Sequence, residues 1–136
     1  MAVLLDSGFL LASLNSSEAE HQATIRVLES IREPIVLPVP AITEVAYLLA
    51  RDIGYDAAAD FISSLADTEL ILEAPLAEDY LRSAEILQYA DANLDFVDAL
   101  IAATAERLNI KRLLTLDRRD FQLIRPRHCD SFELSP

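Results

Sequence analysis

Short runs of apolar residues alternate along this chain with longer stretches in which apolar residues recur at helical spacing. Continuous apolar runs of this kind are typical of strands buried on both faces of a parallel sheet. The runs predict strands at 2–6, 34–39, 69–74, 111–117 and 131–135. The intervening stretches predict helices at 7–14, 16–31, 41–53, 55–66, 76–90 and 93–108. Strands that alternate with helices predict an α/β fold, a mainly parallel sheet covered by helices on both faces.

Several residues predict where the helices begin and end. Ser17 is a plausible N-cap for the second helix, because its hydroxyl can accept a free backbone N–H. Pro40 suits the first turn of the third helix, where its missing N–H costs nothing. Asn109 suits the end of the last long helix, since asparagine tolerates the left-handed conformation almost as glycine does.

The composition places these elements in one domain, residues 1–136. Apolar residues make up 52% of the chain, and two glycines and one cysteine exclude a disordered or disulfide-built protein. The single Cys129 fits a reducing, cytoplasmic compartment. The apolar start lacks basic residues and is interrupted by Asp6, so we expect a strand and a helix there and not a signal peptide. No apolar stretch is long enough to cross a membrane.

The net charge of −12 argues against a generally basic nucleic-acid-binding surface. The basic residues are concentrated, however, in one part of the chain. Seven of the eleven lysines and arginines lie between Arg107 and Arg127, opposed there only by Asp117 and Asp120. That segment therefore carries a local charge of +5, seven minus two.

Two of the predicted strands end in aspartate, at Asp6 and Asp117, and two predicted helices carry an acid near their start, Glu44 and Asp98. The carboxyl ends of parallel strands form the ligand crevice of such sheets, usually where the strand order reverses. Acids separated by a hundred residues in the chain can therefore be neighbours there.

Four converging carboxylates cannot all stay ionised without a counter-charge, so they either raise their pKa values or recruit a cation. Oxygen ligands without histidine or cysteine favour a hard ion, Mg²⁺ or Mn²⁺. Such an ion suits attack of water on a phosphodiester, because it neutralises charge on the phosphate and acidifies water.

Each acid also has an ordinary structural interpretation. Asp95 and Asp98 have the spacing of a helix N-cap and its third residue, and Asp95 is assigned to this role or to supporting the site. Glu44 can complement the helix dipole, and Asp6 and Asp117 can be turn residues. It is the conjunction of the four that favours a site. Two neighbouring hydroxyls, Ser7 and Thr115, either support that site or only serve the local backbone.

The pattern resembles the PIN domain family and, within it, the VapC-type ribonuclease toxins of prokaryotic toxin–antitoxin pairs. The strongest likeness is "DFVDALIAATAERLNIKRLLTLDRRDF" (95–121), an acid, an alanine-rich helix and a strand ending in Thr-x-Asp before basic residues. The stretches "LLDSGFLLA" (4–12) and "PAITEVAYLL" (40–49) resemble the first two family motifs. Asn109 stands where the family usually has glycine.

The resemblance implies a three-layer α/β/α fold with about five strands and an endoribonuclease that depends on Mg²⁺ or Mn²⁺ and leaves a 5′-phosphate. Its metal-binding acids would be Asp6, Glu44, Asp98 and Asp117, assisted by Ser7 or Thr115. It also implies a homodimer inhibited by a VapB-like antitoxin. The apolar helices after Ser7 and around Tyr47 would be available for those contacts, although core packing explains the same residues. Arg118 and Arg119 would contact the phosphates of the RNA, although a solvated loop is the alternative for these arginines.

Three other functions compete with a toxin ribonuclease. A PIN scaffold can bind RNA or a peptide without cutting it, but the complete acid set argues against that. A PIN-like nuclease can process RNA without being a toxin. A phosphoacceptor domain needs paired acids after the first strand, and only Asp6 is present there.

Overall fold

The structure of the protein, a computed structural model, describes residues 1–89 and 94–136. The predicted end of the fifth long helix and the predicted start of the next fall on residues 90–93, outside the described residues. The strands are β1 (Val3–Leu5), β2 (Ile35–Pro38), β3 (Ile71–Glu73), β4 (Arg112–Leu114) and β5 (Glu133–Ser135). The helices are α1 (Ser7–Leu14), α2 (His21–Ser30), α3 (Val39–Asp52), α4 (Tyr55–Ser64), α5 (Ala77–Tyr89), α6 (Phe96–Leu108) and α7 (Arg118–Leu123).

The five strands form one sheet in the order β3-β2-β1-β4-β5, and all four pairings are parallel. The chain moves outward from β1 through β2 to β3, then crosses to the other side of β1 to form β4 and β5. The strand order therefore reverses between β1 and β4, where parallel sheets open a crevice at their carboxyl ends. The predicted α/β class and mainly parallel sheet are confirmed.

Two apolar cores cover the two faces of the sheet and make the fold three-layered. Successive side chains of a strand point to opposite faces. Leu4 and Leu113 consequently pack in the core that contains most of α6, together with Ile86 of α5. Val3 and Leu5 pack on the opposite face, in the core built from α1, α3 and α4.

The helix that carries Asp98 has well-defined ends. Asp95 is the N-cap of α6, and its Oδ1 accepts the Asp98 N–H at 2.9 Å. Asn109 follows the helix with φ 56°, the left-handed conformation predicted for it. Pro40 lies in the first turn of α3, also as predicted. No helix among the described residues has the length and apolar character required to cross a membrane.

Local details of the prediction are wrong in three places. Ser17 is not a helix cap: α2 begins at His21, and the Ser17 N–H donates to Asn15 Oδ1 in the preceding turn. Every strand is shorter than its apolar run, because the residues at the ends of the run do not pair with a neighbouring strand. The six-residue helix α7 was not predicted at all. Its sequence carries few apolar residues, so only its capping aspartate indicates a helix.

Candidate active site

The four acids predicted to converge lie around the carboxyl edge of the sheet, at the reversal between β1 and β4. Asp6 directly follows β1, and Asp117 follows β4 and precedes α7. Glu44 lies in α3, and Asp98 lies in the first turn of α6. Two helices on opposite faces of the sheet thus deliver acids to the ends of its two central strands.

Asp6 is held by hydrogen bonds to both of its carboxylate oxygens. Its Oδ1 accepts the Ser7 N–H at 2.8 Å, which makes Asp6 the N-cap of α1. Its Oδ2 accepts the hydroxyl of the fully buried Thr115 at 2.8 Å. The Thr115 oxygen in turn accepts the Asp117 N–H at 2.9 Å. A single hydroxyl therefore ties the acid after β1 to the backbone of the acid after β4.

Glu44 joins this arrangement through the other hydroxyl that the sequence singled out. The Ser7 hydroxyl donates a short hydrogen bond to Glu44 Oε1. Ser7 is itself buried next to Asp6. The two acids from β1 and α3 are thereby fixed relative to each other.

Asp98 and Asp117 approach a third acid that sequence reasoning missed. Carboxylate oxygens of Asp98, Asp117 and Asp120 all lie within 4.8 Å of one another, and all three side chains are partly buried. Asp117 is the N-cap of α7, and its Oδ1 accepts the Asp120 N–H at 3.4 Å. The signal in the sequence is the Asp-x-x-Asp spacing, which Asp117 and Asp120 share with Asp95 and Asp98.

The pKa of Asp98 records how unfavourable its ionisation is at this position. Burial is the main cause that raises this pKa, from 3.8 to about 8, and the charges of Asp95, Asp6 and Asp117 raise it further. A hydrogen bond that the Asp98 carboxylate accepts from the Asp95 backbone N–H acts in the opposite direction. Without a cation, Asp98 therefore retains its proton to a higher pH than an ordinary aspartate does.

The pKa values of Asp6 and Asp117 are also raised. Burial raises the pKa of Asp6 to about 6, the hydrogen bonds from Thr115 and Ser7 lower it, and the charges of Glu44 and Asp117 raise it. Burial also raises the pKa of Asp117, and so does the neighbouring Asp120 carboxylate. The acids thus act on one another through their charges, as a cluster without compensation does.

Positive side chains do not compensate these charges. None of the ion pairs in the described part of the chain includes Asp6, Glu44, Asp98 or Asp117. The donor set is made of carboxylate and hydroxyl oxygens, which fits a hard divalent cation. Asp95 is exposed and caps α6, so the structure gives it the local role that was also considered for it.

The two arginines predicted to contact phosphates lie at the start of α7, next to the acids. Arg118 is exposed, and its Nη1 donates to the carbonyl oxygens of Leu134 at 3.1 Å and Pro136 at 2.5 Å. Arg119 is exposed and forms no side-chain hydrogen bond or ion pair with the residues that the structure describes. Of these two arginines, Arg119 is the one whose guanidinium has no protein partner among the described residues.

Comparison with known proteins finds a similar VapC ribonuclease and solved structures with a similar fold. The chain is 29% identical over 135 residues to ribonuclease VapC26 of Mycobacterium tuberculosis, an alignment that covers 98% of this chain and 100% of the relative. Its fold matches the crystal structure of the sarcin-ricin loop cleaving toxin VapC20 of the same organism with a TM-score of 0.81 and 24% identity, covering 86% of this chain and 91% of that one.

A second solved structure matches almost end to end. VapBC2 from Rickettsia felis, crystallised with a DNA fragment from its promoter, matches with a TM-score of 0.72 and 16% identity over 99% of this chain and 98% of that one. At these identities the solved structures establish a shared fold. The PIN domain family itself matches residues 3–125, which include every acid of the cluster. The chain therefore belongs to the PIN domain family.

Proposed function

We propose that this protein is a metal-dependent endoribonuclease and the toxin of a VapBC-type toxin–antitoxin pair. The observation that carries the proposal is the convergence of Asp6, Glu44, Asp98 and Asp117 at the strand reversal of a PIN domain, without a compensating positive side chain. The similarity to ribonuclease VapC26 over nearly the whole chain supports RNA as the substrate.

The residues that would hold the ion are Asp6, Glu44, Asp98 and Asp117, with Asp120 as an additional oxygen donor. Mg²⁺ or Mn²⁺, when bound, would supply neutralisation of charge on the phosphodiester and acidification of water. A cation would favour the ionised form of these ligands, so it would compete with the proton of Asp98. The raised pKa of Asp98 accordingly makes cation binding weaker in acid.

The remaining polar residues of the site orient these acids and the substrate. The Thr115 hydroxyl donates a hydrogen bond to Asp6, which fixes the position of one Asp6 carboxylate oxygen. The hydroxyl of Ser7 does the same for Glu44. Arg119 provides a guanidinium for an RNA phosphate, a group that arginine binds well because its planar fork matches the phosphate oxygens. Phosphate contacts of this kind position the strand without selecting its sequence.

The partners proposed with this function are a VapB-like antitoxin and a second copy of the chain in a homodimer. Apolar side chains on α1 and α3 support an antitoxin surface: Leu14 is 46% exposed and Tyr47 59% exposed. A cavity of about 310 Å³ opens beside Leu14, which lines it together with Ile53 and Phe61 among others. The core packing expected of these helices is instead supplied by Phe9 and Val45, which are buried.

The test is cleavage of a mixed pool of tRNA and rRNA by the purified, antitoxin-free protein. Parallel reactions contain Mg²⁺, Mn²⁺ or a chelator, and Asp98→Asn is compared with Asp67→Asn, a matched change of an exposed acid in the turn after α4. We expect discrete fragments that require the metal, persist with Asp67→Asn and vanish with Asp98→Asn.

Two results would contradict the proposal at different levels. Full activity of Asp98→Asn would remove Asp98 from the site. Binding of RNA without cleavage at any metal concentration would favour a non-catalytic PIN scaffold. Growth arrest on expression, relieved by a small protein encoded beside the gene, separates a toxin from an RNA-processing nuclease.

A further inference from the structure

Residues 134–136, at and just beyond the end of β5, accept hydrogen bonds from two residues at the candidate site. The Thr115 N–H donates to the Ser135 carbonyl at 2.8 Å. Arg118 donates to the carbonyls of Leu134 and Pro136. The two donors flank Asp117 in the sequence, so the same three-residue segment holds the chain immediately before and after that acid.

The first of these bonds acts on a residue that orients two acids. Thr115 donates to Asp6 and accepts the Asp117 N–H through one hydroxyl oxygen, as described above. Its backbone continues the pairing of β4 with β5, in which Leu114 lies opposite Ser135. A displacement of residues 134–136 therefore shifts Thr115, and with it the relative position of Asp6 and Asp117.

The second bond distinguishes Arg118 from its neighbour. The Nη1 of Arg118 donates to two backbone oxygens, while Arg119 has no such partner in the described structure. An arginine that already donates to carbonyls loses these bonds if it turns to a phosphate. Arg118 is thus poorly suited to bind substrate and well suited to hold the start of α7 against β5.

We propose that Arg118 is a positioning residue: by bonding the carbonyls of Leu134 and Pro136, it holds the end of β5 against Thr115 and Asp117 and keeps the acids in register for cleavage. This replaces the phosphate contact predicted for Arg118 from the sequence, and its catalytic consequence rests on the proposed nuclease function. The positions of reacting groups matter at this scale, because a misplacement of about 1 Å can cost about a hundredfold in rate.

The experiment compares Arg118→Met with Arg119→Met in the full chain. Arg118→Lys keeps the charge, and Arg26→Met is a control at an exposed arginine of α2 outside the site. Hydrogen exchange of the Thr115 and Asp117 amides is measured by NMR without metal, and kcat and KM are measured on the RNA that the wild-type protein cleaves best.

For Arg118→Met we expect exchange at Thr115 and Asp117 to rise about tenfold or more, while the Ile101 amide in the middle of α6 is unchanged. We also expect kcat to fall about tenfold or more, with KM altered less than about twofold. Arg118→Lys should recover part of both losses. Arg119→Met should raise KM and reduce its dependence on salt without changing exchange at Thr115.

Several results would overturn the proposal. Exchange at Thr115 equal to that of the wild type would show that Arg118 does not hold this segment. Faster exchange with an unchanged kcat would reduce Arg118 to a structural contact. A higher KM with unchanged kcat and exchange would return Arg118 to phosphate binding. If the wild-type protein cleaves no RNA, the proposed function fails. The exchange measurement then still shows whether Arg118 holds residues 134–136 in place.

Discussion

Two sets of buried acids lie in this molecule, and they differ in what surrounds them. Asp6, in the candidate site, is 4% exposed, and Asp79, on α5, is 1% exposed. Both oxygens of Asp79 accept the Arg107 Nε–H at 3.0 Å, and Oδ2 also accepts the Leu76 N–H. Asp6 has hydrogen bonds from Thr115 and Ser7, and no ion pair within the described residues includes it.

The same contrast holds for the acids of α6 itself. Glu106, near the end of this helix, accepts two hydrogen bonds from Arg82 at 2.7 and 3.0 Å. Asp98, near its start, lies among other acids that raise its pKa. Burial alone does not distinguish a functional acid from a structural one. The lack of a positive partner does, because only an uncompensated acid gains from a bound cation.

Removing the cation or a ligand of the cation should have the largest effect. We expect a chelator to abolish RNA cleavage, and Asp6→Asn to reduce kcat at least about a hundredfold, because the site then loses the charge that holds the ion. Asp79→Asn should keep its activity per folded molecule. The measurement is initial cleavage rate with folded protein quantified by circular dichroism. Equal losses for the two variants would erase the distinction between the two sets of acids.

Breaking a compensated pair should instead destabilise the fold. Asp79→Asn removes the charged partner at 3.0 Å and leaves the partly buried Arg107 with longer contacts, to Glu73 at 3.6 Å and to the Ala74 carbonyl at 3.5 Å. We expect a loss of roughly 3 kcal/mol in the free energy of unfolding, as for other broken buried pairs. Urea unfolding measures it. Arg82→Met, which strips the partner from Glu106, should be destabilising in the same direction, and a neutral result for both would mean that these pairs are screened by solvent.

Asp98→Asn should stabilise the metal-free protein at alkaline pH. A carboxyl whose pKa is raised on folding is protonated in the native state and ionised in the unfolded state between pH 4 and about 8, so stability falls as pH rises through that window. Asparagine does not titrate and removes this loss. We expect a melting temperature higher by a few degrees, roughly 2–8 °C, at pH 8.5 and equal to the wild type at pH 3.5.

A saturating divalent cation should reverse the order of stability at pH 8.5, because the ion binds the wild-type site more tightly. A lower melting temperature of metal-free Asp98→Asn at pH 8.5 would instead assign Asp98 to the helix cap alone.

Replacement of Asp95 should have the smallest effect. Asp95→Ala removes the N-cap of α6 and should cost about 1 kcal/mol of stability, as other cap deletions do. The catalytic rate should change only a few-fold, since the exposed Asp95 lies outside the group formed by Asp98, Asp117 and Asp120. Thermal unfolding and cleavage kinetics of the same preparation separate the two effects. A loss of activity as large as that of Asp98→Asn would place Asp95 among the ligands of the site.

The strands and the convergence of the acids could be predicted from the sequence because they depend on patterns that the sequence carries. Apolar runs specify buried parallel strands, and parallel strands bring their carboxyl ends to one edge. Asp6 and Asp117 were therefore placed together, although 111 positions separate them in the chain. The helix end at Asn109 followed from the conformational tolerance of asparagine.

The sequence misled where two residues with similar local patterns have different surroundings. Asp95 and Asp98 have the same spacing as Asp117 and Asp120, and in both pairs the first acid caps a helix. In α6 only the second acid enters the cluster, whereas in α7 both do. Capping chemistry carries no information about this difference, because the difference depends on which side chains lie beside each acid in the fold. The sequence likewise does not distinguish the adjacent arginines Arg118 and Arg119. In the structure, Arg118 donates to the backbone oxygens of Leu134 and Pro136, and Arg119 does not.

By itself the sequence determined the alternation of strands and helices, the parallel sheet and the four acids that meet at its edge, since periodicity and chain connectivity fix these. The tertiary structure alone decided which acids are compensated by arginine, that Asp120 joins the cluster and that residues 134–136 accept hydrogen bonds from Thr115 and Arg118. These are matters of distance between side chains far apart in the chain. Burial and electrostatic interaction depend on these distances, and a local sequence pattern contains no information about them.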